Sequence, residues 1–252
     1  MKTQTFFAIL LLSTLLSACA GNNRNSSSGG NEAAEINMRL GLNYMQRGDY
    51  AFALEKLEKA LQQDPNLPSA HNTIAILYQR LGEDEKAGYH FEKAVDLAPE
   101  YSEAQNNYGA FLCQQQRFDE AEKRFLLAVE NPLYQSAAQA YENAGLCAMQ
   151  AQQVKTAENY FRRALQIEPT LRKSLLQMAE ISYQQQNYLQ ARGYIQRFHD
   201  AATWTARALL LGIKTENKLG DEDAIASYIL ILRSRFPDSD EMQMVNQGIE
   251  NL

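Results

Sequence analysis

The chain has 252 residues, of which 45% are hydrophobic and 21% are charged, and this balance excludes an intrinsically disordered protein. Only six prolines and 13 glycines interrupt long stretches rich in Ala, Leu, Glu, Gln and Lys, which excludes collagen-like folds and predicts a mostly helical protein. The formal net charge of -6 provides no general positive field, so we expect no nucleic-acid partner.

The first segment, residues 1–18, has the architecture of a secretory signal peptide. A basic start at Lys2 precedes an apolar run from Phe6 to Leu16. This run is shorter than the roughly 20 residues that are needed to span a bilayer. We therefore expect residues 1–18 to be a cleaved leader and not a transmembrane helix.

The end of the leader resembles a bacterial lipobox, with the sequence LSAC ending at Cys19. This resemblance implies that Cys19 receives lipid and becomes the first residue of the mature protein. Ala20 follows in place of an aspartate, which resembles lipoproteins that are sorted to the outer membrane. The alternative is a soluble secreted protein that is cleaved near Ala18 or Ala20.

A tether follows the lipobox. From Ala20 to Asn31 the sequence consists mainly of Gly, Ser and Asn, and such a segment buries too little apolar surface to fold. About a dozen flexible residues would place the folded part roughly 20 Å from the lipid. We assign residues 19–33 to the lipidated cysteine and its flexible tether.

The remaining chain is periodic, because small residues, alanines and prolines return about every 34 residues. This is the tetratricopeptide period, and residues 34–238 contain six repeats, which start at 34, 68, 102, 138, 172 and 205. Three positions in the repeat have a constant character. Position 8 is small (Gly41, Ala75, Gly109, Gly145, Ala179, Gly212), position 20 is alanine (Ala53, Ala87, Ala121, Ala157, Ala191, Ala224) and position 24 is large (Leu57, Phe91, Phe125, Phe161, Ile195, Tyr228).

This pattern predicts two helices, A and B, in each repeat. Small residues at positions 8 and 20 let the helices approach closely, and the side chain at position 24 fills the space between them. Prolines at position 32, such as Pro65 and Pro99, end helix B. We predict an all-α tetratricopeptide-repeat superhelix of six helix pairs, followed by a C-terminal capping helix in residues 239–252.

The sequence contains none of the short motifs of common enzymes, such as a nucleophile elbow, a P-loop or an H-E-x-x-H zinc site. His71, His90 and His199 are isolated from one another and from cysteine along the chain. We expect a protein that is not an enzyme and that has no cofactor, no metal and no small-molecule substrate.

Helical solenoids bind peptides or helices along the concave face, which is lined by the A helices. In the first repeats this face combines apolar side chains with polar ones at helical spacing. The alternative is that the tether or residues 32–37 cover the apolar stripe. The predicted partner-binding residues are the apolar Met38, Leu42, Met45 and Ile76 and the polar Asn72, Gln79 and Asn106.

Two cysteines remain after the leader, Cys113 and Cys147, at positions 12 and 10 of neighbouring A helices. The secretory route would bring them into an oxidising compartment, so we predict a disulfide between them. The alternative is two buried free thiols that act as small apolar residues.

Three blocks go beyond the general repeat pattern: 106–113 (NNYGAFLC), 142–147 (ENAGLC) and 206–212 (ARALLLG). With the lipobox and the junction 131–134 (NPLY), they resemble the pilotin lipoproteins of type IV pili, the PilF/PilW family. The resemblance implies an outer-membrane lipoprotein on the periplasmic face, which we expect to be monomeric. It also implies that the protein binds the type IV pilus secretin and promotes its localisation and multimerisation. The alternative is another periplasmic scaffold lipoprotein, which serves barrel assembly or peptidoglycan enzymes.

Overall fold

A computed structural model describes residues 26–248, and every regular element within this range is a helix. None of these helices is long and apolar enough to cross a membrane. The helices are α1 (Ser26–Gln46), α2 (Tyr50–Gln63), α3 (Pro68–Leu81), α4 (Asp84–Leu97), α5 (Ser102–Gln114), α6 (Phe118–Glu130), α7 (Ala137–Gln150), α8 (Val154–Ile167), α9 (Arg172–Gln184), α10 (Tyr188–Ala201), α11 (Ala206–Leu219), α12 (Glu222–Arg235) and α13 (Asp240–Asn246).

The helices pack as six consecutive pairs, in which the odd-numbered helices α1 to α11 are the A helices and α2 to α12 are the B helices. Within residues 26–248, the backbones of neighbouring A helices approach closely. The backbones of neighbouring B helices lie farther apart, and side chains such as Tyr160 on α8 and Glu122 on α6 reach across between them. The A helices therefore form the inner, concave layer of a superhelix. The short α13 packs on α11 and α12, at the end of the array. The predicted all-α tetratricopeptide-repeat superhelix is confirmed.

Close contact between helices A and B explains the small residues at position 8. A Cβ atom added to Gly145 would lie 2.6 Å from the ring of Phe161, and one added to Gly41 would lie 2.5 Å from Leu57. Both large partners are fully buried. The glycine at position 8 thus sits against the side chain at position 24, as the periodicity predicts.

The turn between helices A and B is built in the same way along the array. Position 15 has a positive φ, which is 83° at Gly48 and 76° at Gly82, and in the sixth repeat the next residue, Gly220, has a φ of 75°. The intermediate repeats place glutamine there, with φ of 59° at Gln116 and 61° at Gln152. A side chain in this left-handed conformation costs free energy that glycine does not pay.

The first helix begins earlier than expected. Residues 19–33 were assigned to a flexible tether, but α1 begins at Ser26. Ala34 is fully buried, and the side-chain amide of Asn37 donates to the Ala33 carbonyl at 3.0 Å and to Gln63 Oε1 at 2.8 Å. Once these contacts fix the helix, each further residue adds a backbone hydrogen bond, which offsets the low helix propensity of Gly and Ser.

Candidate protein-binding surface

The concave layer carries a row of half-buried apolar side chains. Ile76, Ala110 and Leu146 occupy position 9 of the second, third and fourth A helices. They pack against the hydrophobic core from one side and keep part of their surface open to solvent on the other. This row forms the floor of a shallow groove that crosses α3, α5 and α7.

A ladder of asparagine side chains runs along one side of this floor. Asn107 Nδ2 donates to Asn72 Oδ1 at 3.2 Å, and Asn143 Nδ2 donates to Asn106 Oδ1 at 3.1 Å. Each bond joins position 6 of one A helix to position 5 of the A helix before it. The same hydrogen bond therefore occurs twice in succession, between α3 and α5 and between α5 and α7.

A glutamine pair lies on the other side of the floor. Gln79 Nε2 on α3 donates to Gln114 Oε1 on α5 at 2.5 Å. We call the four asparagines and these two glutamines the amide frame. All six side chains are neutral, so the frame offers hydrogen-bond donors and acceptors without a net charge.

The two cysteines join neighbouring A helices at this groove. Cys113 on α5 and Cys147 on α7 form a disulfide, with their Cα atoms 5.8 Å apart. Both residues are buried. The bridge therefore fixes the spacing of the third and fourth A helices near their C-terminal ends, one to two turns from the bond between Asn106 and Asn143.

Five of the predicted partner-binding residues remain partly accessible. Ile76, Gln79 and Asn106 are half-buried on the groove, and Met38 and Leu42 are half-buried on α1. Residues 32–37 belong to the same helix as Met38 and Leu42, so these residues do not fold back over the apolar stripe. The predicted lipidation site, Cys19, lies outside the described residues.

Met45 and Asn72 were predicted as partner-binding residues, but the structure buries both. Met45 is 3% exposed and belongs to the main core. Asn72 is 2% exposed, because the next repeat covers it with Asn107 and with Tyr101. Burial raises the pKa of Tyr101 to about 12, so its phenol stays protonated beside Asn72 at neutral pH. These two residues stabilise the surface and do not face a partner.

An apolar edge at the first repeat was not predicted. Ile36 and Leu40, at positions 3 and 7 of the first repeat on helix α1, are 52% and 42% exposed. The equivalent residues of the second repeat, Ala70 and Ile74, are buried, since a helix B precedes them. No helix precedes α1 within residues 26–248, which leaves this edge open. Comparing positions 3 and 7 between repeats would have revealed it in the sequence.

The histidines of the second repeat form a buried pair away from the groove. His71 and His90 have their Nδ1 atoms 2.8 Å apart, and His71 Nε2 donates to the Pro65 carbonyl at 3.0 Å. Burial, aided by the proximity of His71, lowers the pKa of His90 to about 4. Burial also lowers the pKa of His71, so both rings are neutral at pH 7. Across residues 26–248 no group of three His, Cys, Asp or Glu residues is placed to hold a metal ion.

The fold and the repeated A-helix surface define a tetratricopeptide-repeat protein. The family described as "TPR repeat" matches residues 41–82, and the family described as "Tetratricopeptide repeat" matches residues 72–134 and 112–171. These matches agree with the helix pairs of the first four repeats. They define the class of protein and say nothing about its partner.

The chain is 35% identical to the type IV pilus assembly protein PilF of Pseudomonas aeruginosa over 213 residues, and the aligned region covers 84% of each chain. The solved structure of Pseudomonas aeruginosa PilF matches with a TM-score of 0.80 and 35% identity, over 87% of this chain and 99% of that one. The structure of PilW, a widely conserved type IV pilus biogenesis factor, matches with a TM-score of 0.75 and 31% identity, over 85% of this chain and 99% of that one. The chain belongs to this PilF/PilW family of type IV pilus biogenesis proteins.

Proposed function

We propose that this protein is a pilotin, an outer-membrane lipoprotein that binds the type IV pilus secretin and promotes its localisation and multimerisation. The observation that carries the proposal is the 35% identity to PilF across 84% of the chain. The apolar row on α3, α5 and α7 and the carboxamide side chains beside it suit a scaffold that binds another protein. In this role the protein has no catalytic residue and no cofactor.

The lipid anchor is placed at Cys19, and the sequence LSAC supports this assignment. Several acyl chains, each contributing about 0.8 kcal/mol per buried methylene, would hold the protein firmly at the periplasmic face of the outer membrane. The Cys19→Ala variant should remain an uncleaved or soluble precursor. Fractionation with the outer membrane at the mature mass would contradict this assignment.

The first secretin contact is placed on the first repeat, where apolar side chains remain open. Met38 and Leu42 are half-buried on one side of α1. The exposed Ile36 and Leu40 lie on the opposite side of the same helix, at its open edge. Burying such side chains against a partner contributes about 1.5 to 3 kcal/mol each, before the cost of ordering. The polar rim of this site is formed by Gln79 and Asn106.

The test is the assembly of secretin multimers in membranes of cells that express Leu42→Asp. We expect multimers to be lost while helicity, thermal unfolding and membrane localisation stay as in the wild type. Leu189→Asp is the matched control, because Leu189 is 72% exposed on helix B of the fifth repeat. Met38→Gln, a milder change one turn earlier on the same side of α1, replaces Leu42→Asp if that variant unfolds. Normal multimers in the assayed variant would contradict this site.

The alternative partners are a barrel-assembly protein or a peptidoglycan enzyme. A pull-down of the lipidated protein from membranes distinguishes them, because it should recover the secretin. Recovery of a barrel-assembly protein or a cell-wall hydrolase, with no secretin, would contradict the proposed function.

A further inference from the structure

We propose that two copies of this chain pair through the outer side of α12, the B helix of the sixth repeat, with the two helices antiparallel about a twofold axis. We call the residues on this side of α12 the dimer face; they are Glu222, Ala226, Ile229, Leu230 and Arg233. The inference departs from the monomer that the family resemblance implies. It concerns the end of the array that lies farthest from the first repeat.

The outer side of α12 is apolar at positions where most other B helices are polar. Leu230, at position 26, is 68% exposed, and Ile229 beside it is half-buried. The third repeat has Leu126 and Leu127 at positions 25 and 26. The other four repeats have polar or charged residues there: Glu58 and Lys59, Glu92 and Lys93, Arg162 and Arg163, and Gln196 and Arg197. An apolar surface of this kind, bordered by charged residues, is typical of a protein contact.

The residues of the dimer face share one side of the helix. They recur at intervals of three and four residues from Glu222 to Arg233, which is the spacing of a single helix face. The opposite side carries Tyr228 and Ile231, which pack against the hydrophobic core. Leu230 is exposed, so no other helix within residues 26–248 covers the dimer face.

The charges of the dimer face are complementary in an antiparallel pair. The first turn of α12 is acidic and its last turn is basic. Glu222 and Arg233 are exposed at the two ends of the face, and neither forms an ion pair within residues 26–248. Antiparallel packing places Glu222 against the partner's Arg233, and the twofold axis repeats this pair. A parallel arrangement would bring like charges together.

The same register brings apolar side chains together between the two ion pairs. When Glu222 lies opposite the partner's Arg233, Ala226 lies opposite the partner's Ile229, and Ile225 lies opposite the partner's Leu230. A small residue opposite a large one allows the helix axes to approach to about 8 to 10 Å. The charges and the side-chain sizes therefore favour the same register.

The contact is small, so the dimer should be weak. Two helices of 14 residues bury less than the roughly 1,200 Å² of a standard interface. We expect a dissociation constant of about 10 to 100 μM. Copies anchored to one membrane would meet at a higher effective concentration than in solution. In a consequence that rests on the proposed function, a dimer would present the first repeat twice and hold two secretin chains together.

The test measures the molar mass of the purified full-length protein by light scattering in mild detergent, with the detergent mass subtracted, from about 5 to 500 μM. We expect the mass to rise from that of one chain to that of two. Leu230→Glu should remain a single chain, because it places a charge in the apolar centre of the contact. Leu126→Glu is the matched control, since Leu126 is 40% exposed on helix B of the third repeat, and it should dimerise like the wild type.

Charge reversal tests the antiparallel register. Glu222→Arg and Arg233→Glu should each raise the dissociation constant about threefold to thirtyfold, because each variant loses two ion pairs. The double variant Glu222→Arg/Arg233→Glu restores both pairs with their charges exchanged, so it should dimerise like the wild type. An equimolar mixture of the two single variants should form mixed dimers for the same reason.

A single-chain mass at every concentration would overturn the inference, and so would a dimer that Leu230→Glu leaves intact. A double variant that melts like the wild type but stays monomeric would reject the antiparallel register, and the inference with it. The wild-type mass series alone decides between dimer and monomer if a variant does not fold. No secretin is present in this measurement, so a monomeric wild type would reject the dimer and leave the proposed function standing.

Discussion

The carboxylate of Glu142 on α7 caps the next A helix, because it accepts hydrogen bonds from both the backbone N–H and the hydroxyl of Ser174 at the start of α9. The two distances are 3.0 Å and 2.8 Å, and both residues are buried. A helix N-terminus normally satisfies its free N–H groups with a local side chain. Here the preceding repeat supplies the cap, so helix capping also joins the fourth repeat to the fifth.

Glu142→Ala should therefore lower the free energy of unfolding by about 1 to 3 kcal/mol, since two buried donors of Ser174 lose their acceptor. Urea unfolding followed by circular dichroism measures the change. Glu168→Ala is the control, because this carboxylate is exposed and should change stability little. Equal midpoints for the two variants would show that the cap contributes nothing.

The disulfide should make a large contribution to stability. Cys113 and Cys147 are separated by 34 positions, and closing a loop of this size stabilises by about 3 to 4 kcal/mol in the chain-entropy model. The double variant Cys113→Ala/Cys147→Ala should unfold at correspondingly lower denaturant. Thiol titration of denatured, unreduced protein checks the pairing directly. Two reactive thiols in that protein, beyond any at Cys19, would mean that the bond does not form.

The A–B contact predicts opposite effects for two glycine-to-alanine substitutions. Gly145→Ala places a methyl group against the ring of Phe161 and should cost about 1 to 3 kcal/mol through overpacking. Gly193→Ala, on helix α10, meets nothing within 4 Å and should stabilise by about 0.5 to 1 kcal/mol. Melting temperatures of the two variants should move in opposite directions. A loss of stability in both variants would mean that helix propensity does not determine the effect of the substitution at Gly193.

Stability should fall in mild acid because of His90. Burial and the nearby His71 lower its pKa to about 4 in the folded protein, from an ordinary value of about 6.5. The unfolded chain therefore binds the proton more readily, and stability is complete above about pH 6.5 and falls as the pH decreases toward 4. Allowing for partial solvent screening, the loss is about 1 to 2 kcal/mol. Unfolding free energies of His90→Gln should depend less steeply on pH over this range, and an unchanged slope would refute this assignment.

Replacing Gln116 in its left-handed turn should increase the stability of the protein. Gln116 has a φ of 59°, and the same turn is formed by glycine at Gly48 and Gly82. Gln116→Gly should raise the melting temperature, as the relief of about 1 kcal/mol of backbone strain predicts. A decrease would indicate that the entropy of the unfolded glycine outweighs the strain.

The periodic part of the fold could be predicted because its contacts are local. Gly145 and Phe161 belong to one repeat, and the position 8 to position 24 pattern places them together without knowledge of the superhelix. The burial of Asn72 could not be predicted in this way. It depends on Asn107 and Tyr101 from the next repeat, and therefore on how far one repeat rotates relative to another.

Part of the candidate protein-binding surface could also be predicted, because it depends on local positions within each A helix. Leu42, Ile76 and Asn106 remain accessible because the generic A-helix positions describe them well. Met45 is buried in the core, which the generic A-helix position does not indicate. The start of α1 was predicted too late, because the Ser-Gly composition of residues 26–31 predicts a flexible segment and not a helix. The N-terminal edge at Ile36 and Leu40 differs from later repeats because no helix B precedes it within residues 26–248, and a single repeat carries no sign of that.

The bridge between Cys113 and Cys147 should make the middle of the array more resistant to local unfolding than its two ends. In a solenoid each repeat contacts only its neighbours, so unravelling starts at the ends and proceeds inward. The covalent loop contains α6 and most of α7, and its bridge joins the C-terminal parts of α5 and α7 in the middle of the array. Amide hydrogens of the third and fourth repeats should therefore exchange slowest with solvent, and a chain pulled from its two ends should retain this central block after the outer repeats have come apart.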